Sequence, residues 1–353
     1  MPTRRDLLHL AAAPLLLRTA RAADAGADAE GMERIDTHIH IHREAPALVA
    51  SFKDSRWSGL DIVVCPTEGD EPYDLGARLD ATLKGARSSG GRIAWASTFD
   101  ARGFESPDFA ERTSARLRRT FDDGAIGVKI WKNIGMAIRG KAGAYLLPDH
   151  PSLLPIYEAI GRADRTLVAH LAEPDGAWMP LDDKNPELPY YSKNPRWHML
   201  GRAGVPSKES ILDARDRVLA RYPRLRVVGC HLGSDEDDLK RLARRLDAFP
   251  NFAVDTAARI RYFARGNREQ TREFLTRYQD RILYATDFAL RDTAPEAGAK
   301  TLLARHRRDW DFFATDAAME YEGRPTRGLA LPEPVLRKIF RDNARRWLPG
   351  IGV

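Results

Sequence analysis

The sequence predicts a single-domain (β/α)8 barrel of the TIM type over residues 32–353, behind a cleavable N-terminal signal. Three observations carry that expectation. Eight short apolar, β-branched runs alternate with helical patterns. No Gly-x-Gly-x-x-Gly follows the first run, which disfavours the runner-up, an open doubly wound sheet. No internal repeat, low-complexity tract or Pro/Gly linker divides the chain.

The chain of 353 residues is 43% hydrophobic and 30% charged, the balance of a soluble globular protein. At its start, Arg4 and Arg5 precede an apolar run from Leu7 to Leu17 in which only His9 is polar. Ala20-Arg21-Ala22 then offers a small-x-small cleavage site. That order predicts a twin-arginine-type signal peptide over residues 1–22 and a flexible spacer over 23–31. The apolar run is shorter than the ~20 residues that span a bilayer, and no later stretch is long and apolar enough. The expected destination is therefore export to the periplasm by the twin-arginine machinery, without stable membrane insertion. That route carries folded proteins, which suits a cofactor loaded beforehand.

The formal net charge is +6. Four arginines and one aspartate of the leader account for half of it, leaving about +3 on the mature chain. The remaining arginines scatter along helical segments such as 112–119 and 241–245, so solvated helix faces explain them and no nucleic-acid partner is expected. Cys65 and Cys230 are the only cysteines; both end apolar runs and read as buried thiols. A homo-oligomer is left open.

Taken in order, the β runs are 35–40, 60–65, 92–98, 126–131, 166–171, 225–231, 251–255 and 281–287. Helical patterns lie between them at 75–86, 109–121, 153–163, 207–221, 238–248 and 268–278, with Pro107, Pro151-Ser152 and Pro206-Ser207 as starts. In such a barrel the chemistry sits at the C-terminal ends of the strands. Run one ends in His38 and His40, which share a strand face with Asp36. Run four carries Lys129, run five ends at His170, run six at His231 and run eight at Asp287. Four of nine histidines fall at such ends, with a carboxylate at another. Imidazole and carboxylate together are the donors of a zinc-like divalent ion.

Asp36-Thr37-His38-Ile39-His40, His170, His231 in Gly229-Cys230-His231-Leu232-Gly233, and Asp287 in Tyr284-Ala285-Thr286-Asp287 resemble the metal-dependent amidohydrolase superfamily. The nearest likeness is to its amidohydrolase family 2 branch of hydrolases, lactonases and decarboxylases. The closing stretch 336–348, with its Asn343-Ala344 pair, is similar to that branch's final helix. The resemblance implies His38, His40, His170 and Asp287 as metal ligands. One or two divalent ions, zinc foremost, would lower the pKa of a water toward about 7 and supply hydroxide. Asp287 would take that water's proton. His231 would either bind a second ion or orient the water. Lys129 stands where binuclear relatives carry a carbamylated, bridging lysine; the other reading is an ammonium that binds substrate. Glu173, just beyond run five, is a further candidate for substrate binding; it would otherwise pair with Lys129, support the site from behind, or start a helix. Asp36 supports from behind and His42 lies beyond.

The stretch 171–206 is long for a βα connection and rich in Trp, Tyr and Pro. It is expected to wall the site, with Tyr190, Tyr191, Trp197 and His198 as candidate substrate contacts. Arg259 and Arg261, past run seven, are candidates to meet a substrate carboxylate. Three functions follow for a small-molecule substrate: a hydrolase of an amide, ester or lactone; a non-oxidative decarboxylase; or an exported metal-binding protein without turnover. The leader reading has a direct test. Replacing Arg4 and Arg5 by lysines should retain the protein in the cytoplasm, measured by fractionation; unchanged export would remove the twin-arginine assignment.

Overall fold

Residues 31–66, 73–291 and 295–352 are described in the computed structural model. The leader (1–22) and nearly all of the spacer lie outside the described residues. From Glu33 onward the chain forms one unit. Its strands are β1 (Arg34–His40), β2 (Trp57–Ile62), β3 (Ile93–Thr98), β4 (Gly127–Ile130), β5 (Thr166–Ala169), β6 (Val227–Gly229), β7 (Phe252–Asp255), β8 (Ile282–Leu283) and β9 (Phe288–Ala289). Each pairs in parallel with the next from β1 to β8, and β9 pairs with the free side of β1. Strands this short, buried along most of their length, need cover on both faces. The arrangement is consistent with the expected (β/α)8 barrel.

The intervening helices are α1 (Pro46–Asp54), α2 (Leu75–Ser88), α3 (Phe109–Asp122), α4 (Leu154–Arg162), α5 (Lys208–Arg221), α6 (Leu239–Ala248), α7 (Arg268–Arg277) and α8 (Pro295–Ala314). Side-chain caps fix several starts. Asp74 accepts from Ala77 N, Ser207 from Ser210 N, Asp238 from Lys240 N and Arg241 N, and Asn267 from Gln270 N. Each such cap contributes roughly 1 kcal/mol. The sequence reading placed α2 to α7 within a residue or two. It passed over α1, α8 and the antiparallel hairpin β10 (Ala318–Tyr321) and β11 (Arg324–Arg327).

The eighth run is not one strand, as expected, but two. Ile282–Leu283 pairs with β7, then Asp287 takes a left-handed conformation (φ 61°) and Phe288–Ala289 pairs with β1. Across the break, Thr37 N donates to Tyr284 O (3.0 Å) and Asp287 N to His38 O (2.8 Å). A left-handed residue cannot continue a pleat, so the break aims Asp287 at β1.

The core is filled by Ile35, Leu60, Ile62, Ala96, Val168, Val228, Ala253 and Leu283 from the strands, with Ala344, Trp347, Leu348 and Ile351 from the C-terminal segment. That segment is helical over Glu333–Arg337, Lys338–Asp342 and Asn343–Trp347, the middle stretch being a π turn. It meets the starts of the strands: Trp347 O accepts from Thr166 Oγ1 (2.5 Å) and Trp347 Nε1 donates to Asp280 O (3.1 Å). The N-terminal end of the sheet is thus plugged, and the opposite end is left for the site. Buried Asn343 donates both amide hydrogens, to Gln279 O (2.6 Å) and Ile282 O (2.7 Å). Asn343→Ala should strand two buried carbonyls and lower stability by about 1–3 kcal/mol, read as the urea midpoint. An unchanged midpoint would mean that this residue does not pin the plug.

Candidate metal centre

At the C-terminal ends of the strands a cavity of about 580 Å³ opens, within the usual range for small-molecule sites, about 300–1,000 Å³. His38, His40, Lys129, His170, His231 and Asp287 all line it. Donor atoms of His38, His231 and Asp287 lie within 4.8 Å of one another. Asp287 Oδ1 is 3.2 Å from His40 Nε2 and 3.4 Å from His38 Nε2. The His170 and His231 rings are 4.1 Å apart between centroids. The six principal candidates are therefore brought together.

Each of three rings has its outer nitrogen committed. His38 Nδ1 is 2.9 Å from Asp255 Oδ2, His40 Nδ1 is 2.7 Å from Ile62 O, and His231 Nδ1 is 2.8 Å from Ala257 O. A carbonyl only accepts, so Nδ1 of His40 and His231 must carry the hydrogen; the Asp255 carboxylate imposes the same tautomer on His38. Nε2 of each ring is then left without a hydrogen, and all three rings line the cavity. Oriented imidazoles backed by carbonyl or carboxylate acceptors are what a divalent ion requires. His170 Nε2 is buried with no hydrogen-bond partner, a costly state for a polar nitrogen that ligation would relieve. The residues present fit the ion that the resemblance implies.

Electrostatics agree with neutral rings. Burial holds His38 below the ordinary histidine range, and it pushes His170 and His231 well below. Burial alone would raise Asp287, but the His40 ring at 3.2 Å, with His231 and His38 around it, outweighs burial and holds the carboxyl well below the usual range. Asp255 is also lowered against its burial, by His38.

The backbone under these residues is bent in the same sense at five strand ends. His42, Ala172, His231, Ala258 and Asp287 have φ between 53° and 61°. Such conformations cost L-residues about 1–3 kcal/mol each and gather at functional sites. Behind β1, Asp36 is fully buried and accepts from His38 N (3.2 Å), Thr286 N (3.1 Å), Thr286 Oγ1 (2.6 Å) and His306 Nε2 (2.9 Å). His306, on α8, is stacked on Trp57 at 3.8 Å.

Other candidates fall differently. Lys129 Nζ lies 2.9 Å from Cys230 Sγ and 3.4 Å from His38 Nε2, and forms no ion pair among the described residues. Glu173 does not pair with Lys129: its partner is buried Lys132, which the sequence reading missed. Strand four ends before Lys132, so the chain turns there and carries it toward the stretch after β5. Trp197 and His198 are absent from the cavity wall among the described residues; Trp197 packs on Trp131, and His198 Nε2 donates to Met179 O (2.8 Å). Arg259 is buried against Glu236 (2.6 Å), and Arg261 pairs with Glu187 (2.8 Å), which also accepts from Tyr262 Oη (2.6 Å). Both arginines are held by protein carboxylates. His42, expected beyond the site, lines the cavity but pairs with Asp61 (3.1 Å). Asp255 was passed over although it ends its run as Asp287 ends the next. Cys230, read only as a buried thiol, is one, but it touches Lys129.

A family model described as amidohydrolase matches residues 93–350. No curated protein matches the chain. Among solved structures, 2,6-dihydroxybenzoate decarboxylase from Rhizobium is similar with a TM-score of 0.50 and 15% identity, over 89% of this chain and 98% of that one. 4-Oxalomesaconate hydratase from Rhodopseudomonas palustris matches with a TM-score of 0.50 and 11% identity, over 90% and 96%. A Staphylococcus aureus protein named as an amidohydrolase matches with a TM-score of 0.51 and 14% identity, over 90% and 99%. At these identities the likeness is one of fold, and proteins sharing it differ in reaction. The family match runs from β3 to the C-terminal plug, well over half of the sequence, and the chain belongs to the amidohydrolase family.

Proposed function

We propose that this chain is a metal-dependent hydrolase of an amide, ester or lactone, exported to the periplasm by its leader. Its ligands are His38, His40, His170 and Asp287, and zinc is the first choice of ion. The observation that carries the reading is the set of Nε2 lone pairs fixed toward Asp287 by outward Nδ1–H bonds. A divalent ion bound there would polarise a carbonyl and make hydroxide available near neutral pH.

The chain's own groups supply the rest. Asp287 has a second carboxylate oxygen to accept a proton from the attacking water and return it to the leaving group. His231, with its hydrogen held on Nδ1 by Ala257, presents Nε2 as an acceptor, so it orients that water by accepting its second hydrogen. Asp255 keeps His38 in the ligating tautomer and grips the turn at His231, whose N donates to Asp255 Oδ1 (2.7 Å).

Lys129 sets the ion count. It is 1% exposed and has no carboxylate partner among the described residues, at the place where the resemblance puts a lysine amine that is carbamylated. Such an amine adds to the carbon of carbon dioxide: the N–C bond forms, one C–O π pair moves to oxygen, and the nitrogen releases a proton. As a carbamate, Lys129 would gain two anionic oxygens with which it could help hold a second ion. The second reading is a non-oxidative decarboxylase with one ion, favoured by the 3.4 Å approach of Lys129 Nζ to His38 Nε2, where an ammonium would meet a substrate carboxylate.

Metal analysis separates these. Two ions per chain, falling to one in Lys129→Met, is the expected result; one ion in both proteins would favour the decarboxylase, and none after loading would refute both. His38→Ala should lose metal and activity while keeping the fold by circular dichroism. Asp255→Asn should weaken metal affinity about 10–100-fold, measured by chelator competition; unaltered affinity would remove its orienting role.

A further inference from the structure

Lys132 was not among the candidates, and it holds a hydrogen-bond donor that the protein does not use. It lines the same cavity as the metal centre, yet is only 4% exposed. An ammonium has three N–H donors. One goes to Glu173 Oε1 and one to Tyr190 Oη at 3.0 Å; the described residues provide no acceptor for the third. The Tyr190 oxygen accepts from Lys132; Tyr190 is 38% exposed and reaches the cavity wall only through Lys132, and its own hydrogen, without an acceptor among the described residues, is open to solvent or ligand. Beneath the ammonium lies the Trp197 ring, 4.4 Å from Nζ to centroid, and Trp131 stands against Trp197 at 5.2 Å on the cavity wall.

Burying an ion pair brings little stability of its own. Here the pair is charge-balanced by Glu173, fixed on an aromatic floor, and left with two adjacent donors unused. Two donors side by side suit an acceptor with two oxygens on one atom. A neutral carbonyl has a single oxygen to share between them, whereas a carboxylate offers one oxygen to each in stronger, charge-assisted bonds. Since Glu173 offsets the ammonium charge, selection between anion and neutral isostere comes from hydrogen bonding rather than from net charge.

We infer that Lys132 and Tyr190 form a substrate-binding clamp for a carboxylate, with a flat apolar body laid against Trp131. The substrate of the site is then a carboxylic acid that also bears the bond to be cleaved. This deepens the hydrolase reading and rests on it only for the identity of that bond.

Benzoate and its neutral isostere benzamide serve as probes, because they share a flat body. Both are titrated into the purified protein, metal-loaded and metal-free, by calorimetry and by indole fluorescence. Benzoate should bind about tenfold more tightly than benzamide, in both metal states. Tyr190→Phe should weaken benzoate several-fold and leave benzamide unchanged. The double variant Lys132→Met/Glu173→Gln, which removes both charges rather than stranding one, should abolish the preference with metal content retained. Equal binding of the two probes, no benzoate binding in the millimolar range, or a preference that survives the double variant would overturn the clamp. Should the double variant fail to fold, Tyr190→Phe decides, and an unchanged benzoate affinity there counts against it. A preference present only with metal would place the carboxylate on the ion and also overturn the clamp. Failure of the wild-type protein to bind metal strikes the hydrolase reading alone, since the probes are read in metal-free protein too.

Discussion

Four donors converge on the Asp36 carboxylate, and the site depends on that convergence. Two are backbone amides, of His38 and Thr286, and two are the side chains of Thr286 and His306. One buried anion thus fastens β1 to the broken eighth strand at the level where His38, His40 and Asp287 must meet. A buried carboxylate without such partners would cost several kcal/mol. With them it becomes a fixed point, and His306 carries the restraint outward to α8, where Trp57 holds the ring flat. The distances around Asp287 follow from this anchoring more than from contacts among the ligands themselves.

The same logic recurs one layer out. His38, His40 and His231 are each held by an acceptor on a different strand or the loop after it, so no ring is oriented by its own strand alone. The left-handed residues at five strand ends are a cost the fold carries to make those turns. Packing offsets it: a plugged, fully buried sheet core lies beneath. Rigid support under a strained rim allows a small-molecule site to stay formed.

Much of this was legible in the sequence, for physical reasons that differ by element. The helices α2 and α5 to α7 declare their starts through a polar cap. The ligand candidates were found because strand alternation and strand ends fix where a side chain can point. What was missed lies where local pattern says little. The α8 run mixes alanines and arginines without a sharp apolar stripe. The eighth strand reads as continuous because nothing in Thr286-Asp287 announces a left-handed aspartate, whose conformation is imposed by β1. Asp255 was visible as a strand-end acid but silent about its partner, which lies 217 residues away. Glu173 was matched with the lysine inside the strand; three residues further, past its end, the turn brings Lys132 instead.

The junction between β1 and the eighth strand has a consequence for how the protein is made. His40 and Asp287 are separated by 247 positions, and their contact closes a loop of most of the chain. The plug that completes the core follows later still, from residues 344–351. Contacts so distant in sequence are slow to form, because the entropy of closing the loop is lost before the contact rewards it. Ligation by both ends of the sheet therefore cannot precede its closure. An ion held jointly by His40 and Asp287 would mark chains that have finished folding.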